Sequence, residues 1–516
     1  MTEWSSSIAI KTINPESGET LWKFANDAAD SIKCHISWSS DKNRMIVSTK
    51  NIDQTTPVFT EAPIASICVG KHANRVCYSC CFIGLGKITV HETVSTISFC
   101  DRACMGRADD FIDCCGDLIQ HITNNGHHGF IDQCRLLVEI LYARNILRNN
   151  LVLTKVLLME RNMHIVSSEL DELAIKLYDD IHKFSPNLLH ETDSPLLIAE
   201  LLRAIKYNSQ SLVIPSLPGT YFLCLFNTMS KLNHSCSPNS QIMLSFSSDG
   251  LATGTLIACN QIREKEELEI SYFTTLNMNW EARSALLEGA SSFRCSCPRC
   301  SFERQSDRPY IETLSIGMRT LGCFSEIKDK SSDQLSLAEV KKMVLLFDGL
   351  YIMVAFRTPG NTISASGFPV TCYDMYAVLM TCLAFLRSFA KDSGEASVNV
   401  EITEFEVAVC VAISKLWTSF SGKYSYERFQ MIFYGIIAAR YYVNLLCTME
   451  KEKLDAKSYA DIKYSLDEGL EILNFYSPKI PFGSEYAKGT LNSIFDRYRN
   501  IINDLGSKIF KHCIKK

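Results

Sequence analysis

At 516 residues, with 47% of them hydrophobic, the chain has length for two or three domains and enough apolar side chains to fill their cores. A formal net charge of −5 gives no general basic field, which argues against direct nucleic-acid binding and leaves contact with a basic protein tail open. Met1 to Lys11 has no apolar core behind a basic flank, and no apolar run reaches about 18 residues, so neither a signal peptide nor a membrane span is expected.

In chain order, residues from about Arg44 to Ser66 read as short strands: Met45-Ile46-Val47-Ser48, a turn from Asp53 to Pro57, then Val58-Phe59 leading into Glu61-Ala62-Pro63. Two cysteine pairs follow, Cys77-x2-Cys80 and Phe99-Cys100-x3-Cys104. From about Phe111 to Asn208 the pattern is helical, with Leu137, Ile140 and Leu141 at helix spacing and Leu170, Leu173, Ile175 and Leu177 crowding a second apolar segment. Strand-like runs return between Gly219 and Tyr272, among them Gln241 to Phe246 and Gly254 to Ala258, separated by the Ser-Ser-Asp-Gly turn from Ser247 to Gly250. Beyond Cys300 apolar residues step by three and four: Met375, Leu379, Leu383 and Leu386; Ile432, Ile436, Ala439, Val443 and Leu446; Ile462, Leu466, Leu470 and Leu473; and Leu491, Ile494, Phe495 and Tyr498. These are amphipathic helices, and core packing explains each stripe better than a ligand role does. Lys508, Lys511, Lys515 and Lys516 read as a solvated basic terminus.

The 22 cysteines are expected as reduced thiols or metal thiolates of an intracellular protein rather than a disulfide framework. Cys295-x-Cys297-x2-Cys300 puts three thiolates in one tight loop, and tetrahedral zinc takes four nitrogen or sulfur ligands. Cys236, in a stretch as polar as Asn-His-Ser-Cys, is the candidate for the fourth; the alternative is four unrelated reduced thiols.

Three motifs occur in one order: Asn233-His234-Ser235-Cys236-Ser237-Pro238-Asn239, then Lys265-Glu266-Glu267-Leu268-Glu269-Ile270-Ser271-Tyr272, then the C-x-C-x-x-C run. They resemble the SET domain, whose signature is Asn-His-Ser-Cys-x-Pro-Asn, a Gly-Glu-Glu-Leu-x-Ile-Ser-Tyr strand and a post-SET C-x-C-x-x-C. The pairs at Cys77, Cys80, Cys100 and Cys104 resemble the first zinc site of a MYND finger. The chain is thus similar to the SMYD (SET and MYND) family of protein-lysine methyltransferases. The resemblance implies an α+β fold: a SET-type β-core with a knot-like Asn-His segment, a zinc-finger insertion, a helical insertion, and an all-α, tetratricopeptide-like C-terminal domain. The implied boundaries are 1–70 for the SET N-terminal part, 71–115 for a reduced finger and 116–215 for the helical insertion. The SET core then takes 216–275, the post-SET zinc region 276–305 and the helical domain 306–516.

By the same resemblance, Cys77, Cys80, Cys100 and Cys104 hold one zinc, and Cys236, Cys295, Cys297 and Cys300 another. The second finger site is reduced to Cys81 and His91, with Cys114 and Cys115 as remnants, and a metal-free cysteine-rich loop is the alternative reading of this region. Tyr272 matches the tyrosine whose hydroxyl faces the reacting methyl group, and Phe293 walls the lysine channel. Both also border S-adenosylmethionine, along with Asn208, Ser230, Leu232, Asn233 and His234, and Lys42 or Arg44 meets its carboxylate. Three positions depart from the pattern. Lys42-Asn43-Arg44-Met45 stands where a Gly-x-Gly turn is usual, so the pocket narrows unless Asn43 adopts a left-handed conformation. Ser291 replaces a channel tyrosine, and Lys265 replaces the glycine of Gly-Glu-Glu. The expected function is S-adenosylmethionine-dependent protein-lysine N-methylation of a histone or non-histone protein in the cytoplasm, the nucleus or both. A peptide partner for the C-terminal helices is also expected; membrane and direct nucleic-acid contact are not. The alternative is a catalytically weakened scaffold acting as a protein-protein adaptor.

Overall fold

The computed structural model describes residues 33–39, 43–84, 88–125, 129–157, 159, 168–214, 217, 219–247, 251–273, 280–291, 293–305, 396–421, 426–448, 456–479 and 500–509. Lys42, the stripes at Met375–Leu386 and Leu491–Tyr498, and the terminal Lys511, Lys515 and Lys516 lie outside the described residues. The chain forms two compact units, one of Met1–Asn233, Asn239–Ile270 and Lys479–Ile494, the other of His234–Pro238, Ser271–Pro478 and Phe495–Lys516.

The first unit mixes strands and helices. Its strands begin with β1 (Cys34–Ser39), β2 (Asn43–Ser48), β3 (Pro57–Glu61) and β4 (Ala65–Gly70), followed by β5 (Thr89–Val90), β6 (Ser98–Phe99), β7 (Ser209–Val213) and β8 (Thr220–Leu225). β9 (Asn233–His234) carries the boundary between the units, and β10 (Ser240–Phe246), β11 (Ala252–Ala258) and β12 (Glu269–Ile270) follow it. β1 and β2 pair antiparallel with Ser39 opposite Asn43, so the backbone of Asn43 is extended rather than left-handed. Antiparallel sheets run in the orders β10-β11-β3 and β4-β8-β7. Every residue of β11 is buried, and its polar members are satisfied within the sheet. Ser245 Oγ lies 2.7 Å from Thr253 Oγ1 and 2.8 Å from Thr255 Oγ1, which in turn lies 2.8 Å from Thr60 Oγ1. Gly254 is required here: a Cβ would sit 2.8 Å from Phe226 Cζ and 2.9 Å from Met229 Sδ. Only a residue without a side chain lets β11 pass so close to the turn that precedes the Asn-His segment.

Six helices of this unit are α1 (Arg102–Gly106), α2 (Asp109–Asn124), α3 (Ile131–Asn145), α4 (Asn150–Leu157), α5 (Ser168–Phe184) and α6 (Pro195–Asn208). α3 is buried all round, with Leu136, Leu137, Val138, Ile140 and Leu141 fully enclosed, as befits the central member of a bundle. α2 instead presents one apolar face, Phe111, Ile112, Cys115, Leu118, Ile119 and Ile122, to the same core. Ser194 accepts from the Leu197 amide and Pro195 takes the first position of α6, a start encoded locally. Arg144 and Asp193 form a buried ion pair that ties α3 to the loop before α6.

The second unit is helical: α7 (Trp280–Ser291), α8 (Pro298–Gln305), α9 (Ala396–Ser421), α10 (Tyr426–Thr448) and α11 (Ala456–Lys479, whose last residue falls in the first unit), with a further helical stretch at 500–509. The stripe expected on α10 is the one that is buried: Ile432, Ile436, Ala439, Val443 and Leu446. On α11 the buried line runs instead through Ser458, Ile462, Ser465, Gly469 and Ile472, with Leu466 and Leu470 only half-buried. The physical reason is close packing on small residues: a Cβ on Gly469 would lie 2.6 Å from Ile436 Cδ1. Among the described residues no helix is long and apolar enough to cross a membrane.

Candidate functional site: two thiolate clusters and an aromatic set

The eight cysteines singled out in the sequence form two clusters, and in each the four sulfur atoms all lie within 4.8 Å of one another. None of the described cysteines is in a disulfide. Four convergent thiols are the donor set of a structural zinc site, and the surroundings fit one.

The first cluster joins Cys77, Cys80, Cys100 and Cys104 in the first unit. Asp101 caps α1 by accepting from the Cys104 amide at 2.7 Å, which places Cys104 one turn after Cys100 with their sulfurs 3.4 Å apart. Cys80 Sγ lies 3.6 Å from Cys100 Sγ, and the exposed Arg107 donates to Cys104 Sγ at 2.7 Å. A hydrogen bond from the Cys80 thiol, helped by amides of Cys100, Cys80 and Ser79, lowers Cys77 to about 5, so a thiolate is available at neutral pH. Between these ligands Tyr78 stacks on Phe111 at 5.3 Å and its hydroxyl donates to Glu139 of α3 at 2.7 Å. Burial raises the Glu139 carboxyl to about 7 against the opposing effects of Tyr78 and Arg135. The remnants of the other finger site are not gathered: among the described residues, Cys81, His91, Cys114 and Cys115 form no such cluster.

The second cluster joins Cys236 with Cys295, Cys297 and Cys300 in the second unit, all four buried. The Cys297 amide points at Cys295 Sγ and the Cys300 amide at Cys297 Sγ, each at 3.5 Å, as Pro298 starts α8 between them. Three arginines hold this loop. Arg283 of α7 donates to Cys300 Sγ at 3.5 Å, the fully buried Arg299 to the Cys236 carbonyl at 2.9 Å, and Arg304 to the Cys295 carbonyl at 2.8 Å. Hydrogen bonds from Cys236, Cys295 and Cys300 drive the Cys297 thiol far below its ordinary value, while sharing protons with those neighbours pushes Cys236 up.

Against this cluster sits an aromatic set. His234 Nε2 is 3.2 Å from Cys236 Sγ, and His234 Nδ1 accepts from the Tyr272 amide at 3.0 Å. Ring centroids of His234 lie 5.3 Å from Tyr272, 6.0 Å from Phe293 and 6.4 Å from Phe273, and Tyr272 meets Phe293 nearly edge-on at 6.2 Å. Burial first, and Arg283 second among the lowering effects, bring His234 down to about 4, with Cys297 opposing. Tyr272, Phe293 and His234 are thus brought together; Phe273, one residue beyond the motif, belongs to the same set and was missed. Ser291, at the expected tyrosine position, is the last residue of α7.

The remaining residues assigned by resemblance lie in the first unit. Asn233 Nδ2 donates to the Arg44 carbonyl at 2.7 Å and to Glu267 Oε1 at 2.8 Å, clamping β2 to the Glu-Glu-Leu segment. Asn239, at the motif's other end, donates to the Glu267 carbonyl at 2.7 Å and accepts from the Glu269 amide at 2.9 Å. Asn208 is buried at the end of α6 and donates to the Ala204 carbonyl at 2.7 Å. Ser230 Oγ donates to the Asn227 carbonyl at 3.1 Å, and Leu232 is fully buried. The turn carrying both rests on Glu61, whose carboxylate accepts from the Thr228 and Met229 amides at 2.8 and 2.9 Å. Burial raises Glu61, and burial lowers the neighbouring Lys231 to about 8. Lys265 has φ +66°, the left-handed conformation that glycine tolerates best, so this departure carries backbone strain.

No protein-family model matches the chain. The SET domain and MYND-type zinc finger protein 6 of Schizosaccharomyces pombe is 34% identical over 104 residues, 20% of this chain and 20% of that protein. Histone-lysine N-methyltransferase SET5 of Meyerozyma guilliermondii is 38% identical over 125 residues, 23% of this chain and 25% of that protein. A solved structure, the SET domain of LSMT bound to lysine and AdoHcy, aligns over 92% of this chain and 90% of that one at 10% identity with a TM-score of 0.30, too low to bear on the fold. The matched stretches thus span only a fifth to a quarter of the curated relatives. Over these stretches the chain is similar to a SET and MYND-type zinc finger protein and to a SET5 methyltransferase, and its motif cysteines form two four-thiol clusters.

Proposed function

We propose that this chain transfers a methyl group from S-adenosylmethionine to the side-chain amine of a lysine in a protein substrate. The observation that carries the reading is Tyr272 standing edge-on to Phe293 and bonded to His234 beside the Cys236 cluster. The curated relative from M. guilliermondii bears this activity in its name. S-adenosylmethionine supplies a methyl group on a sulfonium. The attacking lysine must be neutral and in line with it, whereas a free lysine with a pKa of about 10.4 is protonated in water. Walls of Phe293 and Phe273 disfavour the ammonium by excluding water, and Phe273 supplies aromatic surface that Ser291 lacks. The Tyr272 hydroxyl orients the amine and stabilises partial positive charge on the methyl group.

Asn208, Ser230, Leu232, Asn233 and His234 are assigned to the cofactor, with Arg44 or Lys42 on its carboxylate. Threading of the Asn-His segment and a tetratricopeptide-like arrangement of the C-terminal helices, one of whose faces docks the substrate peptide, belong to the same proposal. So do the six-part domain division and a cytoplasmic or nuclear location. The substrate in this reading is a histone or a non-histone protein. Both four-thiol sets fit zinc, which holds the loops that carry them.

Calorimetric titration of zinc-loaded protein with S-adenosylmethionine tests the cofactor assignment. Wild type and Tyr272→Phe should bind with the same affinity, and Arg44→Ala about tenfold more weakly through loss of a charged contact. A folded, zinc-loaded protein that takes up no S-adenosylmethionine rules the proposal out.

A further inference from the structure

We propose that His234 is a positioning residue which locks Tyr272 to the metal-thiolate cluster, one imidazole nitrogen on the Cys236 sulfur and the other on the Tyr272 amide. As a positioning role for the reaction it rests on the methyltransferase reading; as a physical link between cluster and tyrosine it stands on the geometry alone.

The two contacts of the ring fix its tautomer. The Tyr272 backbone nitrogen carries a hydrogen and can only donate, so Nδ1, at 3.0 Å, accepts and bears no proton. The ring is then neutral, and its one N–H is on Nε2, 3.2 Å from Cys236 Sγ. A metal-bound thiolate has lone pairs and no hydrogen, which makes it the acceptor this N–H requires. Each end of the ring therefore dictates the other. A metal that keeps Cys236 a thiolate fixes the proton on Nε2, and the proton on Nε2 frees Nδ1 to hold Tyr272. Ring contacts with Tyr272, Phe273 and Phe293 enclose the imidazole, so it cannot exchange these partners for water.

The neighbouring residues serve the same end. Ser235 Oγ accepts from the Ser237 amide at 3.1 Å, folding the chain back so that Cys236 Sγ returns toward the ring two residues before it. Arg299 donates to the Cys236 carbonyl at 2.9 Å, holding the same residue through its backbone. The side chain of His234 thus has a task separate from any contact its backbone makes with the cofactor.

Hydrogen exchange at the Tyr272 amide, read in zinc-loaded wild type, His234→Phe and His234→Asn, tests the link. Phenylalanine keeps a ring without nitrogens; asparagine puts its amide oxygen near the position of Nδ1 and retains an acceptor. Exchange should accelerate about tenfold or more in His234→Phe and stay within about threefold of wild type in His234→Asn. Stripping zinc from wild type with a chelator should accelerate it as well, and in His234→Phe should add nothing further. If the two variants exchange alike, or if zinc removal acts equally with and without the imidazole, the link is wrong. Should His234→Phe fail to fold, the nitrogen spectrum of histidine-labelled wild type decides: a proton on Nε2 and a bare Nδ1 are expected, and the opposite tautomer overturns the proposal. Neither readout needs methyl transfer, so an inactive protein with this pattern refutes the proposed function and leaves the link intact.

Discussion

The two cysteine clusters use the same donor set in different surroundings. In the first cluster Cys77 and Cys104 are buried while Cys80 and Cys100 are half-buried, with the exposed Arg107 on the Cys104 sulfur and a tyrosine, Tyr78, fastening the loop to α3. Cys236, Cys295, Cys297 and Cys300 are all buried, flanked by the buried Arg283 and Arg299, and share His234 with the aromatic set. The same ligand chemistry thus stands in two settings: one cluster lies beside a tyrosine that ties its loop to α3, while the other lies against the aromatic set proposed as the active site.

Ligand removal gives the largest test of this contrast. Cys80→Ser and Cys297→Ser should each lower bound zinc by about one equivalent, measured by metal analysis. Only Cys297→Ser should reduce methyl transfer by about 100-fold or more, whereas Cys80→Ser should stay within about fivefold. Equal losses would erase the distinction.

The arginines sharpen it at smaller scale. Arg283→Gln should weaken zinc binding about 10- to 100-fold in competition with a chelator, since a buried guanidinium beside a thiolate is not replaced by water. Arg107→Gln should change it by less than about threefold, because an exposed ion pair contributes little.

The third test is pH. Glu139 has an ordinary value of 4.5 and a folded value of about 7, so the folded state holds a proton that the unfolded chain has already released. Its contribution is fully present below pH 4.5, declines as pH rises toward about 7, and is lost above it. Glu139→Gln keeps an acceptor for the Tyr78 hydroxyl and removes the charge. At pH 8 it should stabilise the protein by on the order of 2 kcal/mol in denaturant titrations and flatten the pH dependence. A variant whose stability follows pH as wild type does would contradict this account of the finger's anchor.

Cysteine spacing made both clusters legible in the sequence, because a metal site needs several ligands close together and so leaves a dense local pattern. The α10 stripe was legible for a similar reason: Ile432 to Leu446 repeats the helical period in large apolar residues. The face of α11 was not, since Ser465 and Gly469 make the close contact and smallness carries no hydrophobic signal. Glu61 and Glu267 escaped for another reason. A carboxylate at a strand end, as at Glu61, or in a charged loop, as at Glu267, gives no hint that it will be enclosed by backbone amides or an asparagine. The strain at Lys265 was visible only as a departure from a motif, and the extended backbone of Asn43 removes the left-handed option that the missing glycines had left open.

The most direct test is mass-spectrometric detection of methyl transfer from S-adenosylmethionine to lysines of histone-tail peptides and of basic non-histone peptides by zinc-loaded protein, beside Tyr272→Phe. Wild type should add methyl groups to lysine, and Tyr272→Phe should do so at a rate about 100-fold lower. Cofactor binding with no transfer to any lysine, or transfer that Tyr272→Phe leaves unchanged, would contradict it.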